Sequence, residues 1–346
     1  MEPRALPVNQ PAPQSRAEKL TLAQYPGPAR IVRIEAPARL HMGFLDMGGT
    51  LGRRFGSIGV GLDEIHTRLI AESAPVLEVT GPDAQRAQGC AERLSEQLGR
   101  PLTARIVVER AIPGHAGLGS GTQMALAVGT ALARLHRLNL SPAELATNSG
   151  RGSRSGIGIA AFLDGGLVVD AGRGQQTQVP PVIARLPFPA DWRFIVVLDH
   201  EHVGLHGQQE KEAFSALPTF PEQEAARLCH LLLMRGLPAL MEGDIASFGS
   251  VISTLQAAVG DHFAPAQGGR FTSPIVSEAM SYLTGAGAVG AGQSSWGPTG
   301  FCLVDNPAKA EWLRSQAELA FAGHSRLQFL VGTPRKRGAD ISMNLV

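Results

Sequence analysis

The sequence predicts an α+β fold with two domains. Its 346 residues are enough to bury about two hydrophobic cores. Predicted strands and helices follow one another without the regular strand–helix–strand rhythm of a parallel sheet, which favours α+β over a doubly wound fold. The proline-rich stretch 179–189 is the best candidate for a linker. We therefore predict a tail over 1–28, an N-terminal domain over 29–185 and a C-terminal domain over 186–346.

The spacing of apolar residues assigns the elements of the N-terminal domain in order. Strands are predicted over 30–35, 55–62, 66–72, 76–80, 102–109 and 165–170. The third and fourth of these are predicted to form a hairpin. Helices are predicted over 82–98, 122–138 and 141–149, the last with Ser141 as N-cap, Pro142 in its first turn and Glu144 closing a capping box. Residues 1–28 are rich in Pro, Gln and Ala, which predicts a mobile tail.

The C-terminal domain shows the same mixture of elements. Strands are predicted over 193–198, 300–304 and 327–331, and helices near 221–235, 238–259, 274–284 and 307–320. The formal net charge of +1 gives no electrostatic reason to expect nucleic acid or an anionic membrane as partner. Three widely spaced cysteines predict neither a disulfide framework nor a zinc site, and they fit a cytoplasmic protein. We find no apolar run of membrane-spanning length and no signal peptide.

A glycine-rich loop over 113–123, between a predicted strand and a predicted helix, is the strongest functional signal. Glycines permit positive φ and close approach of a ligand to the backbone. The start of a helix adds free N–H groups and the positive end of its dipole. We predict a phosphate-binding loop rather than a plain turn. It is neither a Walker loop nor a dinucleotide fingerprint, because the lysine and the acidic residue that those motifs need are absent. Its binding residues are predicted to be Gly117, Leu118, Gly119, Ser120, Gly121, Thr122 and Gln123.

Two further glycine-rich clusters carry polar side chains. The cluster over 290–300, with Gln293, Ser294 and Ser295, is a surface turn or, as we favour, a second wall of the same pocket. The cluster over 150–158 contains Arg151 and Arg154, whose guanidinium groups match phosphate or carboxylate geometry. A solvated basic turn is an equally good reading of this second cluster.

Two other segments carry candidate catalytic side chains. Arg39 and His41 lie on the same face of an extended segment, with Asp46 beyond them. Three histidines stand beside acidic residues over 199–211, where zinc binding is one reading. We favour a polar loop that binds substrate at the end of a strand. This loop ends at Lys211, one of four lysines in the chain and a candidate catalytic residue.

Together these motifs resemble the GHMP kinase superfamily and, more closely, the β-ribofuranosylaminobenzene 5′-phosphate synthase family. Residues 117–120 are typical of the whole superfamily, whereas 39–44 and 292–299 are more specific to the synthases. The resemblance spans about residues 30–335. It implies an N-terminal domain like domain 2 of ribosomal protein S5 and a ferredoxin-like C-terminal domain. Where the kinases carry a catalytic aspartate after a Ser-Gly-hydrophobic stretch, this chain has Gly158.

The resemblance also implies a reaction. Phosphoribosyl pyrophosphate would lose pyrophosphate, 4-hydroxybenzoate or 4-aminobenzoate would attack the ribose, and CO₂ would leave, giving a C-riboside 5′-phosphate for methanopterin biosynthesis. It implies a cytoplasmic homodimer that uses Mg²⁺ and no organic cofactor. The alternatives are an ATP-dependent small-molecule kinase and a non-catalytic binding module of the same fold.

Roles for individual residues follow from the resemblance. Residues 117–123 would bind pyrophosphate with help from Arg39 or Arg154, and Ser120 would be a magnesium ligand. Asp46 would stabilise the charged ribose. The 5′-phosphate would lie against Arg151 or the 293–295 loop. Phe44 or Trp296 would flank the benzoate ring.

Overall fold

The computed structural model describes residues 30–152, 154–202, 204, 212–213 and 216–345. It consists of two β-sheets with helices packed against them. Within these residues the first sheet has seven strands and the second has four. The α+β prediction is confirmed. None of the helices in these residues is both long and apolar enough to cross a lipid bilayer.

The first sheet is built on two long strands, β1 (Arg30–Asp46) and β2 (Phe55–Glu72), which pair antiparallel. Because β2 is so long, one half pairs with β4 (Arg105–Arg110) and the other with β5 (Leu167–Asp170). The remaining strands each join one neighbour: β3 (Glu78–Thr80) pairs with β4, β6 (Val182–Leu186) with β5, and β11 (Asp340–Leu345) with β1.

The helix α2 (Ser120–Leu135) is the centre of the N-terminal domain. It is rich in Ala and Leu, nearly all of its residues are buried, and it packs against β1 and β2. Its neighbours are α1 (Ala84–Gln97), α3 (Pro142–Asn148) and α4 (Ile157–Leu163). The predicted capping box of α3 is confirmed, because Ser141 Oγ accepts from the Glu144 amide at 3.2 Å and the Glu144 carboxylate accepts from the Ser141 amide at 2.7 Å.

The second sheet has the strand order of a ferredoxin-like domain. Its antiparallel strands are β7 (Arg193–Asp199), β8 (Val289–Gln293), β9 (Thr299–Val304) and β10 (Leu327–Gly332), arranged β10-β7-β9-β8. This arrangement confirms the ferredoxin-like prediction. The helical segments are α5 (Glu222–Leu231), a π-helical turn (Leu232–Gly236), α6 (Leu237–Glu242), α7 (Ile245–Gln267), α8 (Pro274–Gly285) and α9 (Pro307–Ala320). Because α7 packs against both β8 and β1, it joins the two sheets.

Three sequence predictions about the sheets differ from the structure. The predicted hairpin is wrong: residues 66–72 are the end of β2, and β3 lies parallel to β4 because α1 crosses back between them. The predicted linker 179–189 contains β6, which occupies a sheet edge. The strand β11 returns to the first sheet from far along the chain, although residues beyond 186 were predicted to belong to the C-terminal domain.

Candidate active site

The phosphate loop, residues 113–119, enters α2 through glycines in the left-handed backbone region. Gly117 has φ +77° and Gly119 has φ +79°. A Cβ on Gly117 would lie 2.1 Å from the carbonyl oxygen of Ser294, so this position excludes any side chain. Gly119 is the N-cap of α2 and supplies no side-chain cap. The first amides of the helix are thereby left available to an anionic ligand.

Three arginines surround this helix end and form, with the loop, a cavity of about 250 Å³ that we call the anion pocket. Arg39 comes from β1, Arg86 from α1 and Arg151 from the loop after α3. No carboxylate is among the lining side chains in the part of the chain that the structure describes, so the pocket has a net positive charge. The lining residues are Arg39, Arg86, His115, Gly117, Gly119, Ser120, Gly121, Thr122, Arg151, Ser295, Trp296 and Gly297.

Polar contacts hold Arg39 and Arg86 at the pocket. Arg39 donates from Nη1 to the Gly117 carbonyl, and Arg86 donates from Nη1 to Ser120 Oγ at 3.3 Å. The Arg86 guanidinium also lies 3.0 Å from the Asp83 carboxylate. Arg151 lies 3.0 Å from the position that a Cβ on Gly121 would take, and it is exposed. A phosphate entering the pocket can therefore reach its guanidinium.

The second glycine-rich loop, residues 293–299, is hydrogen-bonded to the phosphate loop. Ser294 Oγ donates to the Gly117 carbonyl at 2.7 Å and accepts from the His41 amide at 3.0 Å. Thr299 Oγ1 donates to the Ala116 carbonyl at 2.5 Å. Gln293 bonds to protein groups at its backbone amide and at both ends of its side chain. Ser294 and Gln293 therefore position the loops, whereas Ser295 lines the anion pocket.

Beside the anion pocket lies an aromatic slot lined by His41, Phe44 and Phe263, with Trp296 packed against Phe263. Ring centroids are 4.5 Å apart for His41 and Phe44, and 4.2 Å apart for Phe263 and Trp296. Trp296 and Ser295 connect the two spaces, because Trp296 lines the anion pocket and Ser295 lines both. Burial, helped by the positive charge of Arg39, lowers the pKa of His41 to about 3. The imidazole is therefore neutral at physiological pH.

The structure does not bring every predicted site residue to the pocket. Asp46 Oδ1 accepts from the amides of Gly48 and Gly49, closing a turn at the end of β1, and Asp46 is not among the lining residues. Arg154 is half-buried and also lies outside the lining. Lys211 lies outside the described residues.

Two predicted residues of the phosphate loop and its helix serve structure instead of lining the pocket. Leu118 is buried, and its carbonyl accepts from the Arg39 amide at 3.0 Å. Gln123 is buried and donates from Nε2 to the Gly158 carbonyl at 2.7 Å. Both contacts fix the loop and the start of α2 to neighbouring elements.

Sequence reasoning missed Arg86 and Phe263. Arg86 lies about thirty positions before the phosphate loop, and only the packing of α1 beside α2 brings it to Ser120. Phe263 reaches Trp296 because α7 packs against β1 and β8. Neither residue carries a local sequence signal for its position.

Gly158, which the resemblance places where the kinases carry an aspartate, lies at the start of α4. A Cβ there would lie 3.2 Å from Thr122 Cγ2 and 3.5 Å from Thr122 Cβ. The start of α2 thus fills the space into which a side chain from this position would project.

Comparisons with known proteins define the class and then the family. A model of the GHMP kinases N terminal domain matches residues 85–166, and one of the GHMP kinases C terminal domain matches residues 237–322. A solved homoserine kinase from Cytophaga hutchinsonii has the same fold, with a TM-score of 0.62, 20% identity and coverage of 90% of this chain and 97% of its own. These matches define a protein of the GHMP kinase superfamily.

Two archaeal relatives narrow the class. The beta-ribofuranosylphenol 5'-phosphate synthase of Methanothermobacter thermautotrophicus is 31% identical over 86% of this chain and 98% of its own length. The synthase of the same name from Archaeoglobus fulgidus is 31% identical over 90% of this chain and 100% of its own. The chain belongs to this synthase family and is an enzyme, as the sequence predicted.

Proposed function

We propose that this enzyme joins the ribose of phosphoribosyl pyrophosphate to 4-hydroxybenzoate, with release of pyrophosphate and CO₂. The observation that carries the proposal is the contact between a three-arginine anion pocket and an aromatic slot. With the slot widened, such a pair of spaces would suit one polyanionic and one aromatic substrate that react at their junction. The archaeal relatives are named for a ribofuranosylphenol 5′-phosphate, whose phenol ring would come from 4-hydroxybenzoate. 4-Aminobenzoate is the second acceptor to test.

The anion pocket would hold the leaving pyrophosphate. As the bond between ribose C1 and the pyrophosphate oxygen breaks, that oxygen gains negative charge. The helix amides and the three guanidinium groups are already oriented around this space, so they stabilise the developing charge without reorganising. Arg39 belongs to β1, and its guanidinium donates to the Gly117 carbonyl in the phosphate loop. This contact connects the pocket to the strand.

The aromatic slot would hold the benzoate ring with its carboxylate-bearing carbon toward the ribose. That carbon supplies the electron pair of the new carbon–carbon bond. The bond from the ring to the carboxylate then breaks, CO₂ leaves, and its electron pair restores aromaticity. The tilted rings of Phe44, Phe263 and Trp296 exclude water from the ring faces. A poorly solvated carboxylate loses CO₂ more readily.

Magnesium would reach the site together with the pyrophosphate group. Magnesium commonly takes most of its oxygen ligands from substrate phosphates and water, so the protein needs to supply only one or two. The Ser120 hydroxyl at the anion pocket fits such a ligand, with Thr122 beside it. Bound there, the ion would neutralise part of the pyrophosphate charge.

A GHMP-type kinase is the second candidate, because the fold is shared with kinases. Phosphoryl transfer to an alcohol calls for a base that accepts the hydroxyl proton. Gly158 stands where the kinases carry that aspartate, and the anion pocket has no carboxylate among its described lining residues. We therefore favour the synthase reaction, and with it a role in methanopterin biosynthesis as a cytoplasmic homodimer.

Incubation with magnesium, phosphoribosyl pyrophosphate and carboxyl-labelled 4-hydroxybenzoate tests the proposal, with 4-aminobenzoate in parallel. We expect labelled CO₂ and pyrophosphate in equal amounts, dependent on both substrates. Absence of both products with either acid would refute the proposal, and consumption of ATP with a small alcohol would support the kinase. Ser120→Ala/Thr122→Ala should weaken phosphoribosyl pyrophosphate binding. The exposed hydroxyl pair of α8 gives the matched control, Ser281→Ala/Thr284→Ala.

A further inference from the structure

The aromatic slot contains a buried imidazole nitrogen to which the described residues make no hydrogen bond. His41 is 3% exposed. Its backbone amide donates to Ser294, but its Nε2 has no partner among the described residues. A buried polar atom left unsatisfied costs about 1–3 kcal/mol. An uncompensated cost beside the anion pocket points to a ligand group that completes the bond once the slot has widened.

The state of this imidazole makes Nε2 an acceptor. The side chain is neutral, since burial and Arg39 keep it unprotonated. A neutral imidazole has one N–H and one lone pair. We assign the proton to Nδ1, which leaves the lone pair on the unpartnered Nε2. The other charged group of the slot, Arg270, is held by Asp261 at 2.5 and 2.8 Å.

The position of His41 matches the far end of a ring whose reacting carbon faces the anion pocket. Arg39 and His41 lie two positions apart on β1, and Arg39 lines the anion pocket while His41 lines the slot. Alternate residues of a strand are separated by about 7 Å. A para-substituted benzene ring spans a comparable distance.

The slot must widen before a ring enters. Its free volume is about 10 Å³, room for roughly one water molecule. The half-buried Gln267 and the exposed Arg270 are its long, solvent-reaching side chains. Entry of a ring would displace these two side chains and would break the Arg270–Asp261 pair and the contact between Gln267 and Gln293.

Resting on the proposed function, we propose that His41 Nε2 accepts the phenolic proton of 4-hydroxybenzoate while the carbon–carbon bond forms. The O–H bond breaks and its pair becomes the second bond of a ring carbonyl. Ring electrons form the bond to ribose C1, and the bond from C1 to the pyrophosphate oxygen breaks with its pair. When CO₂ leaves, its electron pair restores the aromatic ring and the oxygen recovers the proton from Nε2. No net proton is consumed.

A weakly basic imidazole is sufficient for this step. The phenol becomes far more acidic as its ring loses electron density, so proton transfer becomes favourable only near the transition state. Before that point, His41 and the phenol share a hydrogen bond. The same lone pair thus positions the ring in the ground state and stabilises it during reaction.

The test is His41→Phe, measured with 4-hydroxybenzoate between pH 6 and about pH 9. General-base catalysis of this kind contributes about 100- to 10,000-fold. We expect kcat near neutral pH to fall at least 100-fold and then to rise about tenfold per pH unit, because the phenolate needs no base. A fluorinated 4-hydroxybenzoate, with a more acidic phenol, should restore activity at lower pH. Affinity for inorganic pyrophosphate should stay within about threefold of the wild-type value.

Several outcomes separate the two proposals. If the wild-type enzyme makes no product, the proposed function fails. If it makes product and His41→Phe loses less than threefold, or loses the same factor at every pH, the role of His41 is overturned. If His41→Phe does not fold, His41→Gln takes its place, since its amide oxygen accepts a hydrogen bond but is a poor base. It should keep KM near the wild-type value and lose kcat with the same rise at high pH.

Discussion

Replacing Arg86 with methionine tests whether α1 contributes to the anion pocket. The substitution keeps most of the aliphatic stem and removes the charge and the contact with Ser120 Oγ. A hydrogen bond between a charged donor and an anion contributes about 1.5–3 kcal/mol, which corresponds to roughly 10- to 150-fold in affinity. The change also frees the Asp83 carboxylate, now 3.0 Å from Arg86 Nη1. Its unpaired negative charge would repel an anion, so we expect the upper part of this range.

The assay is equilibrium binding of inorganic pyrophosphate by calorimetry at low ionic strength. Arg86→Met should bind at least 30-fold more weakly than wild type, and the difference should shrink at high salt because mobile ions screen the charge. The exposed Arg100 gives the matched control, since Arg100→Met removes the same charge away from the pocket. Asp83→Asn/Arg86→Met should recover part of the loss by removing the unpaired carboxylate.

A loss below threefold for Arg86→Met would refute this reasoning. It would mean that Arg86 serves only as the partner of Asp83 at the start of α1. Equal losses for Arg86→Met and Arg100→Met would also refute it, because they would reduce the effect to the net charge of the protein.

Three further changes test other parts of the structure. Gly297→Ala should reduce activity at least 100-fold, because its Cβ would lie 2.2 Å from the phosphate-loop backbone, whereas Gly285→Ala, with open space around it, should not. Gly158→Asp should confer no ATP-dependent kinase activity and should weaken pyrophosphate binding beyond the effect of Gly158→Ala, measured by ATP consumption and calorimetry. Burial would raise the pKa of Asp199, but hydrogen bonds from Arg326 and Ser273 outweigh it and lower the pKa to about 2. The contribution of Asp199 to stability, about 2 kcal/mol, is present above about pH 4 and lost as the pH falls towards 2. In urea unfolding, Asp199→Asn should therefore lose about 2 kcal/mol less stability than wild type over this pH range.

Much of the fold could be predicted because its local patterns are strong. The capping box at Ser141 and the strand–loop–helix around Gly119 are decided by neighbouring residues, and both are present. Strand pairing is different, because it depends on what lies between strands. The segment 78–80 has a strand pattern, yet its parallel partner is determined by the crossover of α1.

In the candidate site, too, some features could be predicted from neighbouring residues and others depend on how distant segments pack. Glycines such as Gly117 predict that another group comes close to the backbone, and the carbonyl of Ser294 does come close to Gly117. Arg86 belongs to a regular amphipathic helix, so its sequence context is that of any surface arginine. Asp46 is the opposite case. Its carboxylate follows a motif and was predicted to be catalytic, but its short side chain accepts hydrogen bonds from the amides of a local turn.

The return of β11 to β1 ties the beginning of the N-terminal domain to a segment made some three hundred residues later. During synthesis, one edge of β1 therefore has no β11 to pair with until residue 345 has been made. An open strand edge can pair with another chain, so this interval exposes the nascent protein to aggregation. The buried Arg335, paired with Asp63 from β2 and Asp340 from β11, secures the late strand once it arrives. Expression of the N-terminal half alone should consequently give a less soluble product than the whole chain.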